Sequence, residues 1–171
     1  MPIGAIKKGG GTIIGNSGEY FVVASLLKRG FIAALAPRNT PHFDILATDG
    51  NNSVNIRVKT KSAPSQVWQW MVKEEGSLYR FIGDRDFVCL VDLKDISDDP
   101  VIYIIETKKL DKILQRDFDE WVKEPGRNGR PHNKENRHRA FGTLSHHKKI
   151  LEDAKNNWNL LNLESFYDRN S

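Results

Sequence analysis

The spacing of hydrophobic positions along this 171-residue chain changes several times, and each change marks an element. Val23, Ala24, Leu26 and Leu27 recur at helical spacing and run into Lys28-Arg29-Gly30, a basic last turn with a glycine stop, which predicts a first helix over about 17–29. Asn16, with Glu19 three residues later, reads as its capping pair, and the glycine-rich run at 9–15 as the end of a flexible lead-in over 1–15. A short apolar run follows at 31–35. Two β-branched runs, 43–47 and 54–59, then flank Asp49-Gly50-Asn51-Asn52, the turn chemistry of a hairpin.

Val67 to Val72 reads as a further strand, and its Trp68 and Trp70, sharing one face, fit core packing or a subunit interface better than base stacking. The unbroken apolar runs 87–93 and 101–105 predict neighbouring central strands, buried on both faces and joined through Asp98-Asp99-Pro100. Leu110, Ile113, Leu114, Phe118, Trp121 and Val122 mark a helix over about 108–123 that ends before Pro125-Gly126. Ile150, Leu151, Ala154, Trp158 and Leu161 mark a last helix over 150–163. The expectation is one α/β domain over 1–171: a core at 17–122 with a central mixed sheet of four or five strands flanked by helices, a basic loop at 123–149, and the closing helix.

Composition narrows the class. Hydrophobic residues at 39% and charged residues at 28% exclude collagen-like, coiled-coil and wholly disordered chains. The single Cys89 cannot form an internal disulfide or a multi-cysteine zinc cage, which points to a reducing compartment, with cytoplasm as the expectation. No apolar run approaches the roughly 20 residues of a bilayer span. The formal net charge is +4, yet residues 123–149 hold eight basic and two acidic side chains, so this stretch is +6 and the rest of the chain −2. A local positive field of that size suits a polyanion such as nucleic acid, though a merely solvated loop has the same composition.

The hairpin carries the candidate chemistry. With the turn centred on Gly50-Asn51, cross-strand partners sum to about 101, so Asp44 faces Arg57, and Arg57 and Lys59 share its side of the sheet. Glu19 reaches the same place if the first helix packs across the hairpin. A cross-strand salt bridge on a solvated face is the plain alternative, and the periodicity alone favours it.

Glu19 on a first helix, Pro41-His42-Phe43-Asp44 opening a strand and Ile56-Arg57-Val58-Lys59-Thr60-Lys61 on the next resemble the PD-(D/E)XK nuclease superfamily, and the element order to about Val122 fits. The resemblance implies a restriction-endonuclease-like fold and cleavage of DNA phosphodiesters with Mg²⁺ or Mn²⁺. It implies metal ligation by Asp44, Glu19 and the Val58 carbonyl, with Lys59 serving the attacking water. It also implies a possible homodimer. A hard cation held by oxygens suits this chemistry because it offsets the charge that repels a nucleophile from a phosphodiester. Position 57 departs from the pattern: Arg stands where an oxygen ligand is expected, and a guanidinium cannot ligate a cation. Pairing of Arg57 with Asp44 or Glu19, or contact with phosphate, is its expected role. Glu74, Glu75, Asp84 and Asp86 are candidates for a migrated carboxylate. Lys61, Arg127, Arg130, Lys134, Arg137 and Arg139 are the further expected phosphate contacts. The alternative is a non-catalytic nucleic-acid-binding protein on the same scaffold. His132, His138, His146 and His147 lack partners at zinc-ligand spacing, so a zinc reading is set aside.

Overall fold

The computed structural model describes residues 10–37, 40–72, 78–79, 81–126 and 128–168. Helix α1 (Gly10–Lys28) is followed by β1 (Ile32–Leu35), β2 (Ile45–Thr48), β3 (Ser53–Lys61), β4 (Trp68–Met71), β5 (Asp86–Asp92), β6 (Val101–Glu106), α2 (Thr107–Lys123), β7 (His138–Phe141) and α3 (Ser145–Ala154), with a 3₁₀ turn at Trp158–Leu161. The main sheet has the order β1-β2-β3-β5-β6, and a separate ribbon pairs β4 with β7. Strands β3 and β5 run parallel and the other neighbours antiparallel, so the sheet is mixed. No helix among the described residues is long and apolar enough to cross a membrane.

The hairpin register is the predicted one: Ile45 lies opposite Ile56 and Ala47 opposite Val54. Its turn is held by the buried Asp49 carboxylate, whose Oδ1 accepts the Asn51 and Asn52 N–H groups at 2.8 and 2.7 Å, while Gly50 supplies the positive φ of 94°. Oδ2 accepts Glu164 N–H at 3.0 Å, so one side chain ties the turn to the C-terminal segment. These donors hold the Asp49 carboxyl far below the ordinary carboxylate range.

Two apolar layers enclose the sheet. On one face Ile14, Val22 and Leu26 of α1 join Ile45, Ala47, Val54, Ile56, Phe87, Cys89 and Val91. On the other, α2 contributes Leu110, Ile113 and Leu114 against Val88, Leu90, Trp68, Trp70 and Phe141. Strand β5 supplies both layers, which is why its sequence is continuously apolar. Of the two readings of the tryptophan pair, core packing holds: both are buried in this layer.

Three boundaries differ from the sequence reading. Helix α1 begins at Gly10, so 10–15 is helical rather than lead-in, and Asn16 and Glu19 lie inside the helix instead of capping it. Burying Ile14 outweighs the low helix propensity of the glycines. The 123–149 stretch contains β7, whose Arg139 and Phe141 are buried against β4. The last helix starts earlier, at Ser145, and stops at Ala154, with a 3₁₀ turn in place of its second half.

Gly18 sets how closely α1 lies on β3. The buried line of α1 is Ile14, Gly18, Val22 and Leu26, one residue per turn, and a Cβ at Gly18 would stand 2.0 Å from Thr60 Oγ1. Gly15 has nothing within 4 Å of its Cβ position. We therefore expect Gly18→Ala to destabilise the fold by about 1–3 kcal/mol through overpacking, and Gly15→Ala to stabilise it by up to about 1 kcal/mol through helix propensity. Urea unfolding of the two variants checks the opposite signs.

Candidate functional site

Asp44 lies just beyond the end of β2, where its main chain bridges two neighbours. Its N–H donates to Ile56 O at 2.9 Å and its carbonyl accepts Ala36 N–H at 2.8 Å. The side chain extends this pairing: Oδ2 accepts the Val58 N–H at 2.7 Å, standing where the next ladder carbonyl of a longer β2 would be. Because a strand residue's N–H and C=O point to the same edge, the Val58 carbonyl also faces the Asp44 side. Oδ1 makes no hydrogen bond among the described residues. Two positions earlier, His42 holds a φ of 90°, a strained value for a residue with a Cβ, with its ring edge-on to Phe81 at 5.7 Å.

Glu19 and Asp44 line one cleft of about 460 Å³, together with Thr12, Asn16 and Tyr20 of α1 and Leu35, Ala36, Pro37, Thr40 and Phe43. The close approach at Gly18 brings Glu19 to the end of the hairpin. Lys59 lies over Trp70 on the face of the sheet opposite α1, so the expectation that it shares one side with Glu19 is not met. Burial pulls its ammonium below the ordinary lysine range, and the Asp44 carboxylate offsets part of that shift.

Arg57, Lys59 and Lys61 alternate along β3, and each lies over an aromatic ring. The Arg57 guanidinium is 4.1 Å from the Tyr79 ring centre, Lys59 Nζ 5.8 Å from Trp70 and Lys61 Nζ 4.8 Å from Trp68. Trp70 Nε1–H donates to Tyr79 Oη at 3.0 Å, joining two rungs. No ion pair joins Arg57 to Asp44 among the described residues, so the expected neutralisation of that carboxylate is replaced by stacking on Tyr79.

Two expected phosphate contacts are corrected by their burial. Lys61 pairs with the buried Asp92 at 2.7 Å and also donates to Ser65 O, which commits its charge to the interior. Arg139 is 9% exposed, lies 3.5 Å over Phe118, and donates to the carbonyls of Asn136 and His138. Arg130, Lys134 and Arg137 are exposed, whereas Arg127 lies outside the described residues. Of the migrated-carboxylate candidates, Glu74 and Glu75 also lie outside the described residues. Asp86 accepts from Asn55 and Gly83, and Asp84 pairs with Lys108 on the surface.

A cluster that spacing did not reveal joins Asp117 of α2 to His146 and His147 of α3, Nε2 to carboxylate oxygen at 2.9 and 2.7 Å. Its partner sits 29 and 30 positions away, beyond the reach of local pattern. The donor set does not fit a metal. His147 Nδ1 accepts Gly142 N–H at 3.0 Å, so the proton of the neutral ring sits on Nε2, the atom a cation would need. The cluster fastens α3 to α2.

No protein-family model and no curated protein matches the sequence. Among solved structures, the bacterial homing endonuclease I-Ssp6803I is similar at 14% identity and a TM-score of 0.43, over 57% of this chain and 66% of that one, just under two thirds of its length. The Holliday junction resolvase Hjc of Archaeoglobus fulgidus is similar at 10% identity and a TM-score of 0.45, over 88% of this chain and 97% of that one. The mixed five-stranded sheet with helices on both faces is the α/β architecture that the sequence predicts.

Burial depresses the proton affinity of His147 below its ordinary value of 6.5, against the pull of Asp117. The Asp117 carboxyl is also held low. Below about pH 6.5 the unfolded chain takes up the imidazole proton before the folded one does, so stability falls with acidification, by at most about 1.4 kcal/mol per pH unit for this one group. The slope of unfolding free energy between pH 7 and 5 is expected to be smaller in His147→Gln than in the parent chain.

Proposed function

We propose that this protein is a metal-dependent nuclease that hydrolyses DNA phosphodiesters at the end of the β2–β3 hairpin. The observation that supports this reading best is that Glu19 and Asp44, from separate elements, line one cleft, and the Asp44 carboxylate favours the charged form of Lys59. Asp44 Oδ1, the Glu19 carboxylate and the Val58 carbonyl are hard oxygen donors, a set that fits Mg²⁺ or Mn²⁺. A cation held by them would polarise a phosphoryl oxygen and acidify a water.

The chain's own groups do the rest. The Val58 N–H fixes the Asp44 carboxylate in one orientation, leaving Oδ1 to the cleft. Lys59, half-buried and opposed by the Asp44 carboxylate, would place a positive charge where a pentacovalent phosphate develops negative charge. Arg57, stacked on Tyr79, keeps its guanidinium N–H edges for a phosphate of the bound strand. Exposed Arg130, Lys134 and Arg137 hold the nucleic-acid backbone.

A second reading rests on Arg57 itself. A guanidinium at the position of an expected oxygen ligand favours a nucleic-acid-binding protein without turnover. One experiment separates the two: nicking of supercoiled plasmid in Mg²⁺ and in Mn²⁺, with DNA affinity measured across salt. The nuclease reading predicts cleavage that falls at least about 100-fold in Asp44→Asn and in Lys59→Ala. It also predicts a salt slope that falls by about one for Arg137→Ala. Cleavage unchanged by Lys59→Ala contradicts the assigned role, and steep salt dependence without cleavage supports the binding reading.

A further inference from the structure

A second cleft, of about 220 Å³, opens between α2 and the β7 segment, and the proposed cleavage makes no use of it. Leu114, Phe118 and Trp121 line it from α2, and Asn136 and Arg139 from the β7 side. Arg139 is its unusual member. The residue is 9% exposed, its guanidinium lies 3.5 Å over the Phe118 ring, and Nη1 donates to the Asn136 and His138 carbonyls at 2.8 and 3.0 Å. Among the described residues, Nε and Nη2 make no hydrogen bond and no carboxylate forms an ion pair with this side chain; Asp119 acts on it only at longer range. A guanidinium withdrawn from water with two nitrogens unused is unfavourable unless an acceptor arrives to take them.

We propose that this cleft holds one unpaired guanine base of a bound nucleic acid, with Arg139 donating to its O6 and N7. Three features favour a base over a backbone phosphate. The walls are largely aromatic and aliphatic, which suits a flat heterocycle and not a strongly hydrated anion. The volume lies below the roughly 300 Å³ at which pockets enclose drug-sized ligands, a size that suits a single base. The donors are also recessed beyond the reach of a phosphate on a paired strand, whereas a base turned out of its stack extends from the backbone into a pocket.

The charge of the cleft selects among bases. Asp117 lines it too, and its carboxyl is held low and therefore ionised, so an anionic ligand would meet repulsion. Guanine is neutral and presents two adjacent acceptors that match the guanidinium fork, with an amino donor on another edge. Asp117 Oδ2 accepts only from His147 among the described residues, which leaves a lone pair for that donor. Adenine, cytosine and thymine lack the acceptor pair. Arg139 is the cross-strand partner of Trp70, the ring beneath Lys59, so the cleft belongs to the Lys59 face of the sheet. The exposed Arg130, Lys134 and Arg137 would hold the neighbouring phosphates. The assignment rests on the nucleic-acid reading above and names its substrate class, a strand carrying an unpaired guanine.

Fluorescence anisotropy in EDTA, where metal-dependent cleavage is off, tests it with labelled DNA duplexes that carry one bulged base. A bulged guanine is expected to bind about 5- to 150-fold tighter than a bulged adenine, cytosine or thymine, the discrimination of one bidentate contact. Arg139→Lys is expected to remove that preference and to leave affinity for a fully paired duplex unchanged, because an ammonium has no planar fork. A bulged 7-deazaguanine, which lacks the N7 acceptor, probes the same contact in the unaltered protein and is expected to lower the preference sharply. Equal binding of the four bulges, or a guanine preference unchanged by either substitution, would overturn the assignment and leave the nuclease reading standing. A chain that binds no DNA would overturn both.

Discussion

The hydrogen bond from Val58 N–H to Asp44 Oδ2 fixes the geometry on which the candidate site depends. Strand β2 stops pairing with β3 at Ile45, while β3 continues to Lys61, so beyond Ile56 the β2-side edge of β3 faces no strand among the described residues. An unpaired backbone N–H at a half-buried edge is unfavourable by about 1–3 kcal/mol, and the Asp44 carboxylate removes that penalty. The same bond orients the carboxylate, leaving one oxygen toward the cleft shared with Glu19. Structure and candidate chemistry thus share one contact, and the plain reading of Asp44 as a strand-end acceptor describes the same atoms as the catalytic one.

Three cations at alternate positions of one strand sit about 7 Å apart on one face, an arrangement that repels itself. The chain answers with rings and one buried acid. Tyr79, Trp70 and Trp68 each cover one cation, and Asp92 neutralises Lys61 completely enough that its charge belongs to the core. The Asp44 carboxylate of the candidate site favours the charged form of Lys59. The strand therefore grades its cations: Lys61 structural, Lys59 within the field of the cleft's acid, Arg57 stacked with its edge open.

Much of this was legible in the sequence because it depends on short-range chemistry. The Asp49-Gly50-Asn51-Asn52 turn sets the hairpin register, and that register brings Asp44 next to β3. The continuous apolar run of β5 reports burial on two faces. What stayed hidden depends on long-range packing. Helix α1 starts early because Ile14 has a core to enter, and no local signal opposes the glycines before it. Strand β7 is four residues in a basic stretch, recognisable only from its partner β4. The burial of Lys61 and Arg139 follows from Asp92 and Phe118, residues 31 and 21 positions away. The Asp117–His146–His147 cluster is of the same kind, two helices apart in the chain and fixed by a tautomer that only a neighbouring backbone N–H decides.

The central claim is that the acids at the hairpin end form the cation site, and anomalous scattering from a crystal soaked in Mn²⁺ tests it most directly. The account predicts a single strong peak in the cleft within bonding distance of Asp44 Oδ1 and the Glu19 carboxylate. A peak at Asp117, His146 and His147, or none in the cleft at saturating Mn²⁺, would contradict it.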